Sequence, residues 1–246
     1  MNTWADVMSP PVGMSHDPAT VAAPVAKVFP FGLEPPVERS VVVRQLHEAQ
    51  AIHRFGVNLA LVRRTVSATR AAAVQTLCAS HHVNIDAAIN AHPHDYDQQV
   101  AKVLPAEIHA ALGDDIAALV YWFVVFGRTP LIRLRLIRFI PAPEPSFATD
   151  NQALRLVVTY SGFGLQWAPD LPVRRVDPAA RIAETPEDHR AVTAVPGSVR
   201  AMQPWWVAFI KGNGFPGNLG NGLAYRPSPQ RIPCERRLQL TLDPIY

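Results

Sequence analysis

The chain has 246 residues, of which 48% are hydrophobic and 17% charged, and it carries 24 prolines. That composition excludes a disordered chain, and the proline content argues against an all-helical bundle. The 23 basic against 20 acidic residues give a formal charge of +3, too near balance to follow a phosphate backbone, so no nucleic-acid partner is expected. Arg63-Arg64, Arg133, Arg135, Arg138, Arg174-Arg175 and Arg236-Arg237 read instead as solvated strand faces and loop ends. Cys78 and Cys234 have no Cys-x-x-Cys partner, which points to reduced thiols and a cytoplasmic protein. The N-terminus has no basic region followed by an apolar one and does not read as a secretory signal. The apolar stretch 116–126 follows Asp114-Asp115 and is shorter than the ~20 residues a membrane crossing needs. It reads as a buried helix, so no membrane partner is expected.

Residues 1–36, with Pro10-Pro11, Pro18, Pro24, Pro30 and Pro35-Pro36, form an expected arm without regular hydrogen bonding. One domain is expected over 37–246, with a mainly helical part at 37–129 and a barrel at 130–246. In chain order, 37–50 predicts a short helix and 56–63 a strand. A helix over 67–80, a short helical piece over 85–90 and a helix over 97–104 come next. Pro105 suits the first turn of a stronger helix ending at Gly127, in which Ile108, Leu112, Ile116, Leu119, Val120 and Phe123 recur on one face. Beyond Pro130 the period changes to two, and 131–140, 154–160, 205–211 and 237–242 predict strands. Several strands without intervening helices predict an antiparallel sandwich or barrel. The fold class expected is α+β, a helical layer packed on a barrel.

The C-terminal half holds a specific series: Phe147 and Asp150; Arg155, Leu156, Thr159, Tyr160, Gly162, Gly164 and Trp167; Lys211-Gly212; Arg226-Pro227; and Arg237, Leu240, Leu242 and Asp243. Together with Asn58-Leu59-Ala60 and Arg63-Arg64, this series resembles the bacterial family known as domain of unknown function 1826. In that family's pattern the first motif reads Phe-His-x-Asp and a later one His-Arg-x-Pro. The series is in turn similar to that of double-stranded β-helix oxygenases, a jelly-roll or cupin-like architecture using Fe(II) and 2-oxoglutarate. The resemblance implies a His-x-Asp pair and a later His on one face of the metal, and a basic residue, Arg236 or Arg237 here, for the cosubstrate carboxylate.

The departures matter as much. Ala148 stands in place of the first histidine and Tyr225 in place of the second, leaving Asp150 as the one obvious protein ligand for a metal. The leading expectation is therefore no cofactor, with Fe(II) and 2-oxoglutarate as the alternative. A second histidine group, His81-His82 with His92, His94, Asp95 and Asp97, reads as exposed loop side chains. His16, His47, His53, His109 and His189 read as isolated. No Gly-x-Ser-x-Gly elbow, P-loop or dinucleotide motif occurs. The glycine-rich run 212–222 follows a strand without opening a helix, so it reads as a mobile hairpin or lid.

On an alternating strand, Arg155 shares a face with Val157 and Thr159, while Leu154, Leu156, Val158 and Tyr160 share the other. An inward Arg155 needs either Asp150 or an anionic ligand. Trp167, Trp205 and Trp206 either wall a pocket or fill the core. Three readings follow. One is a degenerate, oxygenase-like barrel that binds a small anionic molecule through Arg155 and Arg237, with Tyr160, Trp167 and Tyr225 shaping the site. The others are an oxygenase with an atypical site on Asp150, and an interaction protein without catalysis.

Overall fold

The computed structural model describes residues 39–80, 86–92, 94–168, 199–232 and 235–246. The arm expected at 1–36, His81, His82 and Cys234 lie outside them. After β1 (Ser40–Val43) come a 3-10 helix (Leu46–His53), β2 (Leu59–Val62), α1 (Ala68–Ala79), β3 (Asp86–Ala91), α2 (Tyr96–Val103) and α3 (Ala106–Gly127). The rest is strand: β4 (Leu131–Phe139), β5 (Leu154–Ser161), β6 (Leu165–Ala168), β7 (Arg200–Ala201), β8 (Val207–Lys211), β9 (Ala224–Pro227) and β10 (Arg237–Ile245).

Seven strands form one sheet in the order β1-β2-β8-β5-β10-β4-β3, and β7-β6-β9 form a second. Among these strands every pairing is antiparallel except β1 with β2. The large sheet is buried on both faces at its centre, and the period of two decides what each face meets. Leu156, Val158, Phe209, Leu238, Leu240 and Leu242 pack with Ile108, Leu112, Ile116, Leu119 and Phe123 of α3 in the larger core. Leu59, Leu61, Val157, Ala208 and Ile210, pointing the other way, meet Leu165, Trp167, Met202 and Leu223 from the small sheet and its flanks. Each such side chain removed from water contributes about 1.5–3 kcal/mol.

Three elements differ from their sequence reading. Within 37–50, read as a short helix, the described residues give the edge strand β1 and the start of the 3-10 helix. Residues 85–90 read as helical by sequence, but Asp86–Ala91 form β3, paired with β4 from Asp86↔Ile137 to Ala91↔Ile132. Their small apolar residues suit either state, and the free edge of β4 supplied the hydrogen bonds. The N-terminal part thus gives three strands to the large sheet, where the sequence predicted one, at 56–63. Pro105 precedes the first turn of α3 as its N-cap, and the left-handed C-cap is Arg128 (φ 47°), not Gly127. By length and composition α3 could cross a membrane, yet one face, from Ile108 to Phe126, is buried in the core.

Helix α3 is fastened to the sheet by a polar network. Asp115 of α3 receives both terminal nitrogens of Arg64 and the hydroxyl of Tyr160 on β5 at 2.7 Å. Arg64 Nε donates to the carbonyl of Trp205 at 2.7 Å, and the Tyr160 and Trp205 rings meet edge to face, centroids 4.9 Å apart. Trp205 has φ 70°, a strained value for a bulky residue that these contacts hold in place. Burial, and next the charge of Asp115, push the Tyr160 phenol well above its ordinary pKa.

Removing Asp115 leaves a half-buried guanidinium and a buried hydroxyl without their acceptor. Asp115→Ala is expected to lower stability by about 3 kcal/mol, read as a fall in the urea midpoint at unchanged slope. A loss under about 0.5 kcal/mol, the range of ordinary surface substitutions, would show that the network does not fasten the layers.

Candidate functional site

The residues flanking Asp150 are set by a short exchange between the sheets. Ala148 and Tyr225 form an antiparallel bridge, each backbone N–H donating to the other's carbonyl at 3.0 Å. Tyr225 lies on β9 opposite Trp167 of β6, so both rings face the large sheet. Two residues beyond Ala148, Asp150 meets the same corner from the approach to β5.

There Arg155 is held from three sides. Its Nε and Nη2 donate to the two oxygens of Asp243 at 2.6 and 3.1 Å. Nη1 donates to Asp150 Oδ1 at 2.6 Å and to the Tyr225 hydroxyl at 3.0 Å. The Tyr225 hydroxyl donates in turn to Asp150 Oδ2 at 2.5 Å. Both Asp150 oxygens are therefore engaged. Burial opposes the charge on Arg155, but the bond to Asp243 and the neighbouring Tyr225 and Asp150 outweigh it and raise its pKa. Burial, then the Asp150 charge, raise the pKa of Tyr225. The bond geometry is that of strong charge-assisted hydrogen bonds.

The other expected site residues scatter. Arg237 is buried at the opposite end of β10, where Nε donates to Glu235 at 2.8 Å. Its Nη1 and Nη2 donate to the carbonyls of Ser228 and Pro229 at 2.5 and 3.0 Å. Gly162 (φ 84°) makes room for it, since a Cβ there would stand 2.7 Å from Arg237 Cγ. Tyr160 is on the opposite face of β5 from Arg155, committed to Asp115. Trp167 is buried between the sheets with an indole N–H that has no hydrogen-bond partner among the described residues. Trp205 lies on the helix side, and Trp206 sits beneath Arg63, 4.7 Å from ring centroid to guanidinium carbon. Asp150, Arg155 and Tyr225 thus converge, and Tyr160 and Arg237 stand apart from them. Asp243 is the member that reasoning from sequence left unassigned. Its signal was present in 237–243, where leucines alternate with Arg237, Gln239, Thr241 and Asp243, but only the β5–β10 register places it beside Arg155.

The glycine-rich run is tied down. Gly212 N and Asn213 N donate to the carbonyls of Ala153 and Asp150 at 3.2 and 2.7 Å. The amides of Asn58, Asn213 and Asn218 bond Asn221 O, Thr149 Oγ1 and Gly212 O. Gly212 is required by contact, because a Cβ would lie 2.1 Å from Gln152 O and 2.6 Å from Asp150 O.

Iron with 2-oxoglutarate, which the resemblance implies, needs a carboxylate and two imidazoles with their lone pairs free. Ala148 offers no lone pair, Tyr225 is a neutral phenol turned to Asp150, and Asp150 is already paired, so this set does not fit that metal. Among the described residues no three His, Cys, Asp or Glu side chains gather to hold an ion. Of the other histidine group, His92 Nδ1 bonds Pro130 O at 2.9 Å, and Asp95 accepts from Gln99 at the start of α2.

Helices on one face of a seven-stranded sheet, with a smaller sheet on the other, define a mixed helix-and-sheet protein with a charged corner between its sheets. The profile of the family described as "Protein of unknown function (DUF1826)" matches residues 44–243, and the chain belongs to that family. No curated protein matches the sequence. Similar solved structures include dioxygenase for auxin oxidation 1 from Arabidopsis thaliana with 2-oxoglutarate, at 10% identity over 84% of this chain and 91% of that one, TM-score 0.46. The rice dioxygenase for auxin oxidation shares 13% identity over 81% and 76% of the two chains, TM-score 0.42. A Pseudomonas putida prolyl-4-hydroxylase shares 11% over 80% and 96%, TM-score 0.37. These are likenesses of fold alone.

Two outcomes test the corner. Because the folded Tyr225 and Tyr160 have pKa values raised above 10.0, their contribution to stability is full below pH 10 and is lost as pH rises through the folded values. The urea midpoint should fall above about pH 10, less steeply in Tyr225→Phe, and an equal slope in that variant would contradict the assignment. Gly212→Ala, which drives a methyl into the backbone of Asp150 and Gln152, should cost about 1–3 kcal/mol in the same assay.

Proposed function

We propose that this protein is a double-stranded β-helix of oxygenase type that has given up iron chemistry and binds a small anionic molecule. The observation that carries the reading is the state of Asp150, whose two oxygens accept from Arg155 and Tyr225. An organic cation built into the chain does there what a metal ion does in an oxygenase, which is to gather a carboxylate and its neighbours at one corner. The inward-facing side chains of two opposed sheets support the barrel part of the reading. The alternative of an oxygenase with an atypical site requires Arg155 to leave Asp150, breaking a partly buried ion pair, and two nitrogen donors to arrive from elsewhere. A purely interacting protein is the remaining alternative, and it predicts no small-molecule binding at all.

The test restores what the resemblance says is missing. Wild-type protein dialysed against Fe(II) or Mn(II) under argon, with and without 2-oxoglutarate, should retain far less than a stoichiometric amount. Ala148→His/Tyr225→His, which returns both imidazoles beside Asp150, should gain saturable binding, lost again on adding Asp150→Asn. Stoichiometric metal in the wild type, removed by Asp150→Asn, would overturn the reading.

A further inference from the structure

Neither arginine expected to hold an anion has charge to spare: Arg155 is matched by Asp150 and Asp243, and Arg237 by Glu235. Lys211 differs. It is one of only three lysines, with Lys27 and Lys102, among the 23 basic residues, and it is buried to 4% exposure. Its ammonium donates to a single acceptor, the carbonyl of Arg54 at 3.0 Å, and lies 4.4 Å from the centroid of Phe215. An ammonium has three N–H donors, and no carboxylate faces this one within ion-pair distance among the described residues. Burial lowers its pKa, as expected for a cation removed from water without a counter-charge.

The neighbours of Lys211 here are basic residues and not carboxylates. His53, at the end of the 3-10 helix, shares Phe215 with Lys211, ring centroids 6.1 Å apart. Burial, then the charges of Lys211 and Arg128, lower the His53 pKa. Arg128 is the exposed C-cap of α3. The ends of two helices supply carbonyls to Lys211 and His53, which favour a cation there but provide no full counter-charge. The corner is fixed by Gly212 and the asparagine-braced loop, so it is formed before anything binds.

Resting on the reading of an anion-binding barrel, we propose that its anion site is the corner where Lys211 and His53 meet Phe215, with Arg128 within electrostatic reach of His53, and that it takes a small carboxylate or phosphate. An oxyanion there would receive the remaining ammonium donors and supply the missing counter-charge, which a free anion does at no cost in protein burial. The identity of the ligand within that class is for the probes to separate.

The experiment is a thermal-shift and calorimetric titration of the full chain with succinate and with inorganic phosphate, in parallel, at ionic strength held constant with chloride. At least one probe should raise the Tm saturably. Lys211→Met should weaken that binding about tenfold or more, while Lys102→Met, which removes an exposed lysine of α2, should leave it unchanged. Arg128→Gly guards against a folding failure of the first variant. Its left-handed φ suits glycine, so the fold is retained and binding should weaken several-fold. Saturable binding that persists undiminished in Lys211→Met and Arg128→Gly overturns the placement of the site alone. No response to either probe in the wild type overturns the anion-binding reading with it. Fe(II) retention is measured separately and bears on neither outcome.

Discussion

Arg155 is the point at which three separate stretches of chain are held in one place. Its planar fork meets Asp243 at the end of β10, Asp150 before β5 and the hydroxyl of Tyr225 on β9. A guanidinium can do this because its five donors lie in a fixed plane and its charge does not titrate in the accessible range; a lysine has neither property. The two sheets are joined at this corner by charge-assisted bonds, and by apolar contact along the rest of their shared core.

Strand β5 organises the molecule through its alternation. Arg155 and Tyr160 are five residues apart and so lie on opposite faces, each in a polar network that binds a different layer. Arg155 serves the small sheet, and Tyr160, through Asp115 and Arg64, serves α3. In the Arg64 network one carboxylate balances one guanidinium, and in the Arg155 network two carboxylates face one, so neither arginine has positive charge over for an anionic ligand. Lys211 ends the adjacent strand, paired with Leu154, and is the exception. A buried cation without an acid is costly to fold, and that asymmetry separates it from the structural arginines.

The glycine-rich run illustrates how a composition can mislead about behaviour. Glycine content suggests freedom, but here Gly212 is small so that two backbones can touch. Three asparagine amides then supply the hydrogen bonds that a regular strand would have supplied. The loop is the scaffold of the Asp150 corner and of the Lys211 corner, since it leaves β8 between them.

Much of this was readable in the chain. The period of two after Pro130, the buried face of α3 and the opposite facing of Arg155 and Tyr160 follow from spacing and stereochemistry, which are local. The lack of imidazole at Ala148 and Tyr225 is likewise a matter of residue identity alone. The β3 strand was not readable, because Ala87, Ala88 and Ile89 suit helix or strand and an unpaired edge decided between them. Nor were the partners of the charges, for Asp243 reaches Arg155 and Asp115 reaches Arg64 across long stretches of sequence. Residue order determined which groups this protein has and which way each strand turns them. Tertiary structure alone decided which charges cancel and that Lys211 meets no carboxylate among the described residues, because ion pairing depends on distances that strand register and helix docking set.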